Sequence, residues 1–405
     1  MSATTALTSK RIHEALGELL ERRDPNARGT VLGAGNDDLD SGRRFLSVLA
    51  DGGWIVPIWP TRHGGRDADD AEASRIAAAL ADYEVADLYP YGVGLNLVGP
   101  ILLSCGSPEQ QDRWLRPIAD GSEVWCQMFS EPGAGSDVAS LSTRAFRDGD
   151  EWILTGQKVW TSGAHYCDFG LVVARTDPAL PKHQGLSMFI VDLHAPGVDI
   201  RPLVQISGAR GFNEVFFDSV RVPADDLLGE VNQGWNLAVS MLMFERVSIG
   251  TGSGALNAKR HPDLIRLARN LGRDSDPTVR QALANLAIGE EIKEYVSQRI
   301  RAEAAAGRVP GPEGSIAKLA GALLVRRTRD AAMAILGPSG QAWDLDAPGA
   351  DEAAKWSNFC ISAAGVSIAG GTDEVQRNII GERVLGLPGD VRTDKDMAWK
   401  DVPRN

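Results

Sequence analysis

Apolar positions along the chain change their spacing twice, from a helical period to a strand-like one near residue 121 and back near residue 234. In the first stretch Ile12, Ala15, Leu16, Leu19 and Leu20 mark one face of an opening helix, and the apolar-small run 76–80 marks another. Ser107, Pro108 and Gln110 supply an N-cap, a proline at the first helical position and a reciprocal partner before Trp114 and Leu115. In the middle stretch the strand at Trp125 stops at Ser130, Glu131 and Pro132. Short strands are then predicted at 151–154 and 157–160, joined as a hairpin at Thr155 and Gly156, and again at 171–174, 187–191 and 215–217. Turn clusters at 177–185 and 195–197 separate them, with Pro223 and Leu227, Leu228 and Gly229 closing the unit.

Beyond Gly234 the stripe Leu237, Met241 and Phe244 returns to a helical period. Asp276 and Pro277 open a second helix towards Ala305, and Ser315 opens a third that Gly337 and Pro338 stop. A last helix follows Gly370, Gly371 and Thr372, its first turn holding Asp373 and Glu374 where negative charge suits the helix dipole. Only the tail after Pro388 reads as loosely held. The expected class is α+β multidomain: helices over 1–120, an antiparallel β-barrel or sandwich over 121–230, and a four-helix-type bundle with tail over 231–405.

Composition narrows the function. The 405 residues exceed one core's size, and 54 acidic against 42 basic residues leave a formal charge of −12. No basic block with interleaved aromatics exists, so neither nucleic acid nor a membrane surface is expected as a partner. Four cysteines without CxxC spacing and six histidines without ligand spacing predict no metal, and fit a reducing compartment. With no signal-type apolar segment and no run of 18 apolar residues, a soluble, cytoplasmic protein is expected. Val31, Leu32, Gly33, Ala34 and Gly35 mimic a dinucleotide fingerprint, but Asp38 stands where a third glycine is needed and no strand–helix–strand unit follows.

Four islands fall where the spacing changes: WCQMFSEPGAGSD (125–137), GQKVWTSGAHYCD (156–168), FNEVFFDSVRVPADDLLGEVNQGW (212–235) and GGTDEVQRNIIGERVLGLP (370–388). Together, in this order and over most of the chain, they resemble the acyl-CoA dehydrogenase family. The resemblance implies amino-terminal helices, a middle β-barrel and a carboxy-terminal four-helix bundle, with FAD between barrel and bundle. It implies lipid chemistry of the β-oxidation type: a base takes the α-proton of an acyl-CoA thioester and the β-hydride leaves to flavin N5, giving a trans-2-enoyl-CoA.

Matched residue by residue, the resemblance assigns the flavin to Gln127, Phe129, Ser130, Gly135 and Ser136, to Trp160 and Ser162, and to Thr372 and Glu374. Other readings stay open: Trp160 as a core residue, Ser136 as a contact to CoA or a mere turn residue, and Glu374 as a helix-dipole charge. The family's commonest base position, just before Gly-Thr, is Gly370 here. A smaller branch, represented by isovaleryl-CoA and long-chain enzymes, carries its glutamate on the first helix of the carboxy-terminal domain before an arginine. That position reads Glu245 and Arg246. Glu245 is thus the expected base, Gly370 a backbone donor to the thioester oxygen, and Arg246 an acyl-CoA contact; the plain alternative is an ordinary solvated or paired helix residue.

Two departures bear on assembly. No arginine–aromatic–glycine motif follows Lys259, and Ala334 stands where a flavin-contacting glutamine is usual. With PGPEGSIAKL (310–319), these features resemble a bacterial branch in which some members pair with a dissimilar chain. The expected partners are an electron-transfer flavoprotein and a second subunit, in a homodimer, a tetramer or a heteromer. Two other readings compete: a flavin oxidase or monooxygenase on the same scaffold, and a non-catalytic subunit of a heteromeric enzyme.

Overall fold

In the computed structural model, residues 7–23, 38–251, 259–305, 311–341 and 350–403 are described, and the two changes of spacing mark changes of architecture. Five α-helices come first among these residues: α1 (Ser9–Leu19), α2 (Leu39–Ala50), α3 (Asp70–Leu80), α4 (Gly99–Cys105) and α5 (Pro108–Asp120). The α5 capping box forms as the sequence predicts, with the Gln110 N–H donating to Ser107 Oγ and the Ser107 N–H to Gln110 Oε1. The Gln110 amide also donates to the Asp225 and Leu227 carbonyls, at 2.7 and 2.9 Å. One cap therefore starts a helix and ties it to the end of the sheet.

The strands are β1 (Trp125–Met128), β2 (Arg144–Asp148), β3 (Glu151–Ser162), β4 (Phe169–Arg175), β5 (Leu186–Asp192), β6 (Val198–Leu203), β7 (Phe212–Pro223) and β8 (Leu227–Leu228). They form one sheet in the order β6-β7-β3-β2-β4-β5-β8, with β1 beside β4. Most pairs are antiparallel, but β1 and β2 meet β4 in parallel. The predicted hairpin at Thr155 and Gly156 is a single strand, β3, with a register shift between Leu154 and Gly156. Gly156 is there for close approach rather than for a turn: a Cβ would lie 2.4 Å from Thr143 Oγ1.

The carboxy-terminal elements are α6 (Gly234–Thr251), α7 (His261–Asn270), α8 (Pro277–Ala305), α9 (Gly314–Leu336), α10 (Ala350–Val366) and α11 (Asp373–Ile379). Sequence reading missed α7 and α10. Helix α9 is the hub, packing on α6, α7, α8, α10 and α11. Two main cores result. One runs from Leu46 and Trp114 through Trp125, Phe189 and Val220 to Ala238 and Met241 of α6; the other, around Leu264, Leu286, Ile335 and Trp356, belongs to the bundle. Helix α6 thus joins sheet to bundle. Its start is pinned where the Asn232 N–H donates to Ser187 Oγ, and a Cβ on Gly234 would lie 2.5 Å from the Ser187 backbone.

The tail after Pro388 is not loosely held. The Lys182 ammonium sits between Asp394 at 2.8 Å and Asp137 at 2.9 Å. The Trp399 N–H donates to the Leu180 carbonyl, and the Arg175 guanidinium lies 4.6 Å from the Trp399 ring centre. These partners are far away in sequence, so no local periodicity announces them. Among the described residues no helix is long and apolar enough to cross a membrane, and no group of three or more His, Cys, Asp or Glu could hold a metal ion. The four cysteines are free thiols. The glycines at 33 and 35 and the start of the 310–319 segment lie outside the described residues.

Candidate active site

On the sheet side, β1 is fixed by aromatic packing: Trp114 meets Trp125 and Phe169 edge-on at 5.3 and 4.6 Å between ring centres. The half-buried Gln127 and the buried Phe129 follow, and β1 then enters the loop at Ser130. The Ser130 carbonyl accepts from the Val159 N–H at 2.9 Å, which joins the first two islands. Below the loop is a buried ion pair. Lys158 Nζ donates to Glu131 Oε1 at 2.8 Å and to the Phe129 carbonyl at 3.1 Å. The Glu131 carboxylate also accepts from the Ser142 N–H and hydroxyl and from the Thr143 N–H. Burial pushes the Glu131 carboxyl up, but Lys158 and these donors outweigh it and hold the group below its ordinary value.

Above that pair the loop is open. A Cβ on Gly133 or Gly135 would meet nothing within 4 Å, and Ser136 is exposed. Two residues beyond Lys158, Trp160 takes a left-handed φ of 60° at a second register shift of β3, and its side chain is 62% exposed. Such a backbone costs about 1–3 kcal/mol in a non-glycine residue. Phe212 meets the indole edge-on at 5.9 Å, and the buried Thr161 Oγ1 next to it has no hydrogen-bond partner. An indole presented face-out in a strained conformation, an orphaned hydroxyl, the half-buried Ser162 and an open glycine cradle fit a flat, hydrogen-bonding ring system. Trp160 is accordingly no core residue.

On the bundle side, α6 carries Glu245, half-buried, three turns beyond the pinned Gly234. The side chain of Arg246 lies outside the described residues. Gly370 and Gly371 both take left-handed φ values, 64° and 86°, in the turn before α11. Thr372 caps that helix by accepting from the Val375 N–H at 3.2 Å. Glu374 is exposed, its own N–H holds its carboxyl below the ordinary value, and it pairs with Arg377 at 3.5 Å; this matches a helix-dipole charge. The turn itself is held by its carbonyls. Gln376 Nε2 donates to those of Gly370 and Gly371 at 2.9 and 3.1 Å, and Lys318 Nζ donates to that of Gly371 at 2.7 Å. The Gly370 N–H makes no hydrogen bond among the described residues.

Sequence reading missed Lys318 and Gln376, both fully buried, and took Glu131 only for a strand stop. The signal was present: Lys318 is the lone charge in the stretch 314–325, where a lysine on a helix of alanines and leucines points to a paired burial. Burial lowers the Lys318 pKa, while Asp373, Glu245 and Glu374 act to raise it. The ammonium therefore feels Glu245 on α6 while holding the Gly371 carbonyl.

Three family models match in order along the chain: acyl-CoA dehydrogenase N-terminal domain over residues 31–122, middle domain over 126–220 and C-terminal domain over 232–385. The acyl-CoA dehydrogenase IpdE1 of Mycobacterium tuberculosis is 38% identical over 361 residues, covering 89% of this chain and 91% of IpdE1. Among solved structures, the Tcur3481–Tcur3483 steroid ACAD superposes with a TM-score of 0.76 at 28% identity, over 94% of this chain and 97% of that one. The ChsE4–ChsE5 complex from Mycobacterium tuberculosis gives 0.73 at 27% identity, over 96% and 100%.

Proposed function

Because the chain belongs to the acyl-CoA dehydrogenase family, and so is an oxidoreductase of acyl-CoA thioesters, we propose that it is FAD-dependent with Glu245 as its base. Glu245 takes the α-proton of the bound acyl-CoA. The Gly370 N–H donates to the thioester oxygen, where negative charge grows as that proton leaves. FAD, when bound, supplies the acceptor for the β-hydride. Gln127, Phe129, Ser130, Gly135, Ser136, Trp160, Ser162, Thr372 and Glu374 would hold it, with Ser136 and Arg246 also facing the CoA ester. One observation supports this reading above all: the buried Lys318 ammonium that bonds to the Gly371 carbonyl is also acted on by the charge of Glu245. This supports a carboxylate on α6 working with a backbone donor on a turn whose Gly370 has no side chain.

The bare turn also supports a bulky acyl group, branched or polycyclic, and the Tcur3481–Tcur3483 neighbour is a steroid acyl-CoA dehydrogenase. The ChsE4–ChsE5 neighbour is a two-chain complex. With the missing arginine motif after Lys259, it favours assembly with a dissimilar second chain; that electrons pass on to an electron-transfer flavoprotein rests on the family resemblance alone. The test is anaerobic. Purified protein is mixed with octanoyl-, isovaleryl- and a polycyclic acyl-CoA while oxidised-flavin absorbance is followed. Wild type is expected to bleach fastest with the bulky ester, and Glu245→Gln to keep its flavin without bleaching. Equal bleaching by both proteins would remove Glu245 as the base.

A further inference from the structure

Lys318 lies in the bundle with its side chain fully buried, and a lysine is rarely so buried unless its charge is answered. Here the answer is incomplete. Among the described residues its ammonium donates one hydrogen bond, to the Gly371 carbonyl; Asp373 stands 3.8 Å away, beyond good hydrogen-bond length. Among the described residues Asp373, itself buried, has no hydrogen bond to either carboxylate oxygen and is paired with Arg326 at 3.0 Å. The buried Gln376 Oε1 is also without a partner among the described residues, while its Nε2 donates to the turn. A network meant only to fasten α9 to α11 would gain from filling these positions. Among the described residues, the side-chain hydrogen bonds of Lys318 and Gln376 all fall on the two glycine carbonyls.

We infer that Lys318 is a positioning residue, which with Gln376 clamps the Gly370 and Gly371 carbonyls and presents a fixed positive charge to Glu245. The inference rests on the reading of Glu245 as base and deepens it. Two glycines in left-handed conformations form a turn with many alternatives. Fixing both carbonyl directions fixes the two peptide planes that follow Gly370, and leaves rotation about its own N–Cα bond as the freedom that aims its N–H. In a relative with a glutamate at that position, a side chain occupies the site beside the N–H; here the clamp does the orienting from behind. The charges acting on the ammonium are Asp373 and Glu374 of α11, Glu245 of α6 and Arg326 of α9 itself. Removing Lys318 takes one positive charge away from Glu245, which becomes harder to ionise.

The experiment compares Lys318→Met, Lys318→Arg, Gln376→Met and Glu245→Gln as full-length, FAD-loaded proteins. Flavin reduction by an acyl-CoA and deuterium uptake at the substrate α-carbon are both followed as functions of pH. Lys318→Met is expected to lose about tenfold or more in the rate constant with a smaller change in KM, and to shift the apparent pKa of α-proton removal upward by about one unit. Lys318→Arg should restore that pKa. Gln376→Met should slow the reaction without moving it. A wild-type pKa in Lys318→Met, or a loss explained wholly by lost FAD or lower melting temperature, overturns the inference. If Lys318→Met fails to fold, Lys318→Arg and Gln376→Met decide, since an unchanged rate constant in both refutes the clamp. Glu245→Gln separates the two ideas: undiminished turnover there fails the base reading itself, whereas its silence beside an unmoved pKa in Lys318→Met fails only the clamp.

Discussion

Lys158 and Lys318 are both buried lysines beside the candidate site, and they are answered in opposite ways. Under the β1 loop, Lys158 meets Glu131 at 2.8 Å, and that carboxylate takes further bonds from Ser142 and Thr143 until its acceptor capacity is filled. In the bundle, Lys318 stands 3.8 Å from Asp373 and makes one short bond, to a backbone carbonyl. Saturation suits a fixed platform, because a filled network has no second arrangement to visit. An unfilled one keeps part of its field for whatever enters beside it. The difference teaches that burial alone does not tell a structural lysine from a functional one; the count of satisfied partners does.

Breaking the saturated pair should have the largest effect on stability. Lys158→Met leaves the Glu131 carboxylate buried without its cation and is expected to cost about 3–5 kcal/mol, read as a lost or sharply lowered melting transition. Lys318→Met, by contrast, is expected to move the transition far less than it moves the rate. Equal destabilisation by the two would break the comparison.

Acid should reach the Glu131 pair next. The Glu131 pKa is lower in the folded chain than in the unfolded one, so its contribution is present above the unfolded value, near 4.5, and is lost as pH falls through the folded value. Melting temperatures taken from pH 7 downward should therefore fall below about pH 4.5, with a shallower fall in Glu131→Gln. The same slope in both proteins would mean that other carboxylates govern acid stability.

Asp226 supplies the opposite limit, a partly buried charge with chiefly like neighbours. Burial first and then Asp225 push its pKa up to about 6, with Arg113 alone opposing. Its folded pKa lies above the unfolded one, so stability falls as pH rises from about 4 through 6. Asp226→Asn is expected to add about 1–2 kcal/mol at pH 7 and nothing at pH 3.5, by thermal melts at both. A gain of equal size at both pH values would show that packing, not charge, limits this corner.

Much of this was legible in the sequence wherever the signal is local. The α5 capping box and the capped start of α11 each declare themselves within four residues, the α1 stripe within three turns, and the four islands carried the family. Gly156 misled because a glycine between two apolar runs reads as a turn, whereas its reason is the Thr143 side chain, just before the neighbouring strand β2. The strained Trp160 was found only as a motif position, since nothing in its neighbours announces a left-handed φ. Lys318 and its carbonyl partner are 53 positions apart, and Lys158 and Glu131 are 27 apart. Periodicity has no means of pairing them.

The tail returns across a still larger separation: the Trp399 indole N–H reaches the Ser140 carbonyl 259 positions earlier, closing a loop that contains the whole bundle. Closing a loop that long costs little more entropy than closing one half its length, but it must wait until the segments between have found their places. The contact is therefore expected to form late in folding. Lys182 and Asp137, which it gathers in, flank the open glycine loop, so on that order the surface around the loop would be completed only after the bundle has formed. A chain interrupted before the tail docks would have its helices in place and its sheet still unbraced.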